Sequence, residues 1–156
     1  MNQVIQFALR QEATQIQKCG AIVSVQANLP RAIGDFHQIS TVFQNLIDNA
    51  CKYAVEEQSP EISIGAIEEE TRVLWSVKDN GVGIDRQDQE RVFDLFQRVD
   101  RTVKGSGVGL ALVKRIVEIH GGTIWVESEG KGHGAEFLFT LDQEAEWQDF
   151  EKLARG

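Results

Sequence analysis

Proline and cysteine are scarce in this chain, with two of each in 156 residues. Only Pro30 and Pro60 punctuate it, so no linker divides it and a single domain is expected, long enough to bury a substantial core. Cys19 and Cys51 have no metal-ligand spacing and are too few for a disulfide scaffold, which indicates a reducing compartment and hence the cytoplasm. No run approaches the ~18 consecutive apolar residues of a membrane span. The first residues, MNQVIQFALR, lack a signal-peptide layout. Positive charge is in deficit: 16 Lys and Arg face 24 Asp and Glu, for a formal net charge of −8. That balance excludes the basic face of a protein that tracks nucleic-acid phosphates. With 42% hydrophobic and 26% charged residues, the composition is that of a folded globular chain.

Apolar periodicity orders the elements. Val4, Phe7, Ala8 and, less regularly, Ile16 predict a helix over 3–19, stopped by Gly20. Alternation of Val23, Val25, Ala27 and Leu29 predicts a strand over 21–29. A long helix is expected from Asp35, a capping residue, to about Glu57. Residues 62–66 and 72–79 form an expected antiparallel hairpin around the polar turn 68–70. A short helix is expected over 87–96, a loop over 97–106 and a helix from Gly107 to His120, followed by strands at 122–128 and 135–141. This order predicts an α+β sandwich with a mixed, mostly antiparallel sheet.

Three segments carry chemistry. In FQNLIDNACKYA, Asn45, Asn49 and Lys52 recur at helical spacing along one edge. Amide groups beside one cation suit phosphate and a hydrated Mg²⁺, which takes few protein ligands. In VKDNGVGID, a strand runs into Asp79, an acceptor able to fix an exocyclic amine, while Gly81 and Gly83 admit close approach of a planar base. In KGSGVGLALVK, Gly105, Gly107 and Gly109 open a helix whose free N–H groups attract anions. No strand feeds these glycines and no G-x-x-x-x-G-K-[ST] is present, so Rossmann and P-loop readings fail.

Taken in this order, the segments resemble the ATP-binding catalytic domain of bacterial sensor histidine kinases, in the superfamily of gyrase, Hsp90 and MutL. The likeness covers roughly residues 3–141. NLIDNACKY resembles the N box, DNGVGI the first Gly box, RVFDLF the F box, GSGVGL the second Gly box and GKGHGA the last. The resemblance implies a two-layer α/β sandwich (the Bergerat-type ATP-binding fold), with helices on one face of the sheet and ATP beneath a lid. It implies Asn49 as Mg²⁺ ligand, Asn45 beside the phosphates, Lys52 on the phosphate chain and Tyr53 flanking the nucleotide. Asp79 would hold the adenine amino group, with Gly81 and Gly83 shaping its pocket. Phe93 and Phe96 would anchor the lid, Arg98 would contact phosphate, and Lys104 would be a lid cation. Gly107, Val108, Gly109 and Leu110 would close the phosphate end.

In the hydrolytic members the helix position four before the Mg²⁺ Asn is a water-activating Glu; here it is Asn45, which cannot act as a general base. The resemblance therefore implies phosphoryl transfer, with Asn45, Asn49 and Lys52 as its machinery, to an acceptor histidine and on to a response regulator. No acceptor motif resembling S-H-E-L-R-T-P is present, so the acceptor is expected on a separate dimerisation domain and this part as a monomer. His37, His120 and His133 are expected in structural or surface roles. Ala135 stands where the family often has Thr or Ser. Residues 142–156 form a tail in which Trp147, Phe150 and Leu153 define one face of a short helix. Two other classes stay open: a nucleotide-binding regulatory module that switches a protein partner, and a serine kinase of the anti-sigma-factor type.

Overall fold

The structure, a computed structural model, describes residues 1–96 and 107–143. The expected loop 97–106, with Arg98, Lys104 and Gly105, and the tail from 144 onward lie outside the described residues.

The chain begins with two short helices, α1 (Asn2–Gln11) and α2 (Ala13–Cys19), where one was expected. The break falls at Glu12 (φ −94°, ψ 7°), which explains why Ile16 falls off the repeat that buries Val4, Ile5 and Ala8. Gly20, left-handed at φ 69°, ends α2. β1 (Ile22–Val25) is shorter than the alternation suggests, because Asn28 at φ 55° turns the chain out of the sheet. Its work is continued by a side chain: Gln26 Nε2 donates to Ala66 O (3.2 Å), and Ala66 N–H donates to Gln26 Oε1 (3.1 Å).

α3 (Phe36–Lys52) starts where expected, with Gln38 N–H donating to the Asp35 carboxylate at 2.9 Å. It ends at Lys52, five residues short of Glu57: the chain leaves the helix at Tyr53 (φ −100°, ψ 23°), and Glu57 lies in a following turn at φ 65°. β2 (Glu61–Glu68) and β3 (Arg72–Asp79) form the hairpin. The helix expected over 87–96 is instead two 3₁₀ turns, Arg86–Asp88 and Arg91–Phe93, enough to bury Val92 and Phe93. α4 (Gly109–Ile119), β4 (Ile124–Glu127) and β5 (Ala135–Asp142) complete the order.

The five strands lie in the order β1-β2-β3-β5-β4, with β1–β2 parallel and the rest antiparallel. One sheet face is apolar, with Ile62, Ile64, Val73, Trp75, Val77, Phe137, Phe139 and Leu141 buried. The inner side of α3, from Ile39 through Phe43 and Ile47, packs upon it between α1 and α4. Phe43 meets Trp75 and Phe139 edge-on, with ring centroids 5.9 and 5.5 Å apart. Ser63, Ser76, Lys78 and Glu136 alternate to the opposite face, which completes a two-layer α+β sandwich. None of the described helices is long and apolar enough to cross a membrane.

Candidate nucleotide-binding site

Asp79 ends β3, paired with Ala135 at the start of β5. Its Oδ1 accepts from Gly81 N–H (2.8 Å) and Ala135 N–H (3.3 Å). Oδ2 takes no hydrogen bond from the described residues and is left for a donor from outside. Burial pushes this carboxyl above the usual Asp range, against the pull of the two amide donors.

The loop after Asp79 is sewn to its surroundings through main-chain groups. Val82 N–H donates to Tyr53 O (2.9 Å), Gly132 N–H to Val82 O (2.7 Å) and Gly134 N–H to Gly81 O (3.1 Å). Close approach requires the glycines: a Cβ on Gly83 (φ 76°) would stand 2.0 Å from Gly130 O, and one on Gly81 would stand 2.5 Å from Tyr53 O. Ser128 clasps both loops. Its hydroxyl accepts from Ile84 N–H (3.0 Å) and Gly130 N–H (3.2 Å) and donates to Gly134 O (2.6 Å). Gln89 Nε2 closes the back, donating to Ser128 O at 2.8 Å and Ile84 O at 3.2 Å. Neither residue was singled out by spacing; the only signal for Ser128 was a hydroxyl directly before the last glycine-rich turn. Ala135 contributes its amide, so its missing hydroxyl leaves Asp79 with a donor here.

The other end is built on the edge of α3. Asn45 Nδ2 donates back to Thr41 O (2.8 Å), which leaves Oδ1 turned to α4, where a Cβ on Gly109 would meet it at 2.8 Å. Asn49 is half-buried one turn further on. Lys52 is exposed and holds Asp48 at 2.7 Å. Glu12 lies in the same electrostatic group: burial and Asp48 raise its carboxyl, and Lys52 opposes them. The N-terminus of α4 has Val108 at its cap with no side-chain cap bond, so among the described residues no side chain caps its first N–H groups, the kind of groups that bind anions.

Gly107 takes φ 71°, and Phe96 N–H donates to Gly107 O at 2.9 Å, closing the base of the segment 97–106. Phe93 is buried edge-on to Phe137 (6.1 Å). Phe96 has a side chain 68% exposed at φ 66°, and its hydrogen bond to Gly107, two residues before α4, is made by the backbone. Leu110 packs against the core, and Val108 is exposed.

Of the histidines, His120 accepts from Asp35 N–H through Nε2 (3.1 Å), so Nδ1 carries the proton and donates to Ile116 O (2.7 Å). His37 packs edge-on to Phe7 and Phe36. His133 is exposed in the glycine turn.

Asp79, with Oδ2 free of a hydrogen bond from the described residues, stands among glycine-rich loops, and Asn45 on the edge of α3 faces the first residue of α4. The chain belongs to the family described as histidine kinase-, DNA gyrase B- and HSP90-like ATPase, whose model matches residues 34–145. Among its relatives is the methanogenesis regulatory histidine kinase FilI of Methanothrix harundinacea (strain 6Ac), 41% identical over 139 residues, which are 89% of this chain and 16% of FilI. Among solved structures, the mycobacterial sensor histidine kinase MprB superposes with a TM-score of 0.79 at 25% identity, covering 94% of this chain and 96% of that one. Full-length ShkA in complex with AMPPNP gives 0.76 at 27% identity, covering 91% of this chain and 30% of that one. The chain thus spans about a sixth of the curated relative's length.

Proposed function

We propose that this domain binds Mg²⁺-ATP and donates the γ-phosphoryl group to a histidine on a separate helical phosphoacceptor domain, as the catalytic part of a two-component sensor kinase feeding a response regulator. The observation that carries the reading is the half-satisfied Asp79 carboxylate among glycine-rich loops tied by main-chain hydrogen bonds. An adenine amino group supplies the missing donor, and the absence of side chains at Gly81 and Gly83 lets the loops carrying Tyr53 and Gly130 pack close beside Asp79. The nucleotide complex of ShkA supports the same assignment by likeness.

Asn45 and Asn49 offer amide oxygens, and the α4 amides from Gly109 onward offer donors to phosphate oxygens. Among the described residues no three His, Cys, Asp or Glu side chains stand together as a metal site. Mg²⁺ would therefore rest on Asn49 together with phosphate oxygens, a donor set that fits its preference for few protein ligands, and it would neutralise phosphate charge. Lys52 must leave Asp48 to reach the phosphates. Asn45 has no basicity, so water beside the γ-phosphate is not deprotonated and the group waits for the imidazole of the acceptor. The same reading makes the domain a cytoplasmic monomer.

Incubation with γ-labelled ATP and a helical histidine domain tests it. Acid-labile phosphate on the partner is the expected result. Acid-stable phosphate would indicate the serine kinase, and tight ATP binding without transfer the regulatory module.

A further inference from the structure

Cys19, the last residue of α2, and Cys51, in the last turn of α3, are both free thiols. They are 32 residues apart in sequence, yet their sulfurs stand 2.7 Å from each other, with the Cys19 thiol directed at Cys51. A covalent S–S bond is about 2.04 Å long, so bonding requires only a small approach. Cys19 is half-buried and reachable from solvent, whereas Cys51 is 6% exposed. In a reducing compartment such a pair has no reason to be a permanent staple, and cysteines so placed serve transient chemistry.

We propose that Cys19 and Cys51 form a reversible redox modification site, oxidised by a low-molecular-weight disulfide to an intramolecular bond that pins α2 to the last turn of α3. Cys19 reacts first because it is the accessible sulfur. Its thiolate attacks one sulfur of the external disulfide, forming a mixed disulfide and expelling one thiolate. Cys51 then attacks Cys19 Sγ, closing the Cys19–Cys51 bond and expelling the second thiol, which takes the Cys51 proton. Two protein thiols lose two hydrogens in all, and the external disulfide becomes two thiols. Cys51, buried behind Cys19, is a poor first target, and the order of events is set by the site. The bond lies two residues from Asn49 and beside Lys52, on the helix that the proposed nucleotide site uses, but the chemistry does not depend on that reading.

The test equilibrates the full chain with mixtures of oxidised and reduced glutathione, followed by acid quench, iodoacetamide and intact mass. The expected oxidised species is monomeric, lighter by two hydrogens and alkylated at neither cysteine. It melts higher than the reduced form by roughly 10 °C, since closing a loop of this length constrains the unfolded chain. Cys51→Ala is expected to retain one glutathione on Cys19, while Cys19→Ala stays largely unmodified. Persistent glutathione on the unsubstituted chain, disulfide-linked dimers, or equal melting of bridged and reduced forms would each overturn the proposal. The mass measurement on the unsubstituted chain stands even if a variant folds poorly.

Discussion

Around Asp79, the loops pass from one to the next through main-chain hydrogen bonds, whereas along the edge of α3 the polar groups are side chains that bond to their own helix. The base end joins Tyr53, Gly81, Val82, Gly130, Gly132 and Gly134 by carbonyl contacts and amide donors. Such groups cannot rotate away, so the pocket keeps its shape with or without a ligand. The phosphate end consists of Asn45 on Thr41, Lys52 on Asp48 and an uncapped helix start. Each of these can be exchanged for a ligand contact at small cost. The rigid half suits recognition of an invariant base, and the exchangeable half suits a phosphate chain that changes during turnover.

Matched glycine substitutions give the largest expected contrast. Gly83→Ala drives a Cβ onto a carbonyl oxygen at a left-handed φ and should cost about 3 kcal/mol or more in urea unfolding, with loss of nucleotide binding. Gly109→Ala meets only the end of the Asn45 side chain, inside a helix that favours alanine. Stability should hold or rise slightly while ATP affinity falls. Equal destabilisation by the two would erase the distinction between the ends.

Asp79→Asn follows in size. Loss of a charged acceptor should weaken nucleotide binding on the order of 10- to 100-fold by calorimetry. The variant should be no less stable at neutral pH, because the carboxylate is disfavoured by burial. The sign follows from the raised pKa: the folded state holds the proton to higher pH than the unfolded chain, so ionisation subtracts stability as pH rises from the ordinary Asp value, ~3.9, through the folded one. Nucleotide affinity has the opposite trend, falling on acidification with its onset above that ordinary value. An affinity that is flat down to the ordinary value would remove Asp79 from the contact.

Two smaller effects probe the phosphate end. Asn45→Glu should raise basal ATP hydrolysis without raising transfer; unchanged hydrolysis in a coupled assay would refute the role given to Asn45. Asp48→Asn releases Lys52 and should tighten ATP binding about two- to threefold, with stability changed by less than ~1 kcal/mol, since the pair is about one-third exposed.

The glycine-rich loops around Asp79 were legible because their requirements are residue types. Only glycine fits at Gly81 and Gly83, and Asp79 is readable as an acceptor at a strand end. The helix edge was legible through spacing. The Ser128 clasp was not, because a single hydroxyl bridging two distant loops leaves no periodic trace. The break at Glu12 showed only as one apolar residue out of phase. The 3₁₀ turns after Asp85 were misread as a helix, since burying Val92 and Phe93 needs only one short turn. The approach of Cys19 to Cys51 depends on how α2 folds back on α3, a tertiary fact outside any local pattern.

The side-chain amide of Gln26 has a consequence at the border of the sheet. β1 covers only the first half of β2, and the rest of that strand would offer bare amides and carbonyls along its rim. Gln26 occupies both groups of Ala66, and Gly65 leaves it room, since a Cβ there would stand 2.8 Å from Gln26 Oε1. An incoming strand from another molecule therefore finds its first docking pair already taken. At this stretch of the rim, one glutamine takes the place of a strand pair without lengthening the sheet.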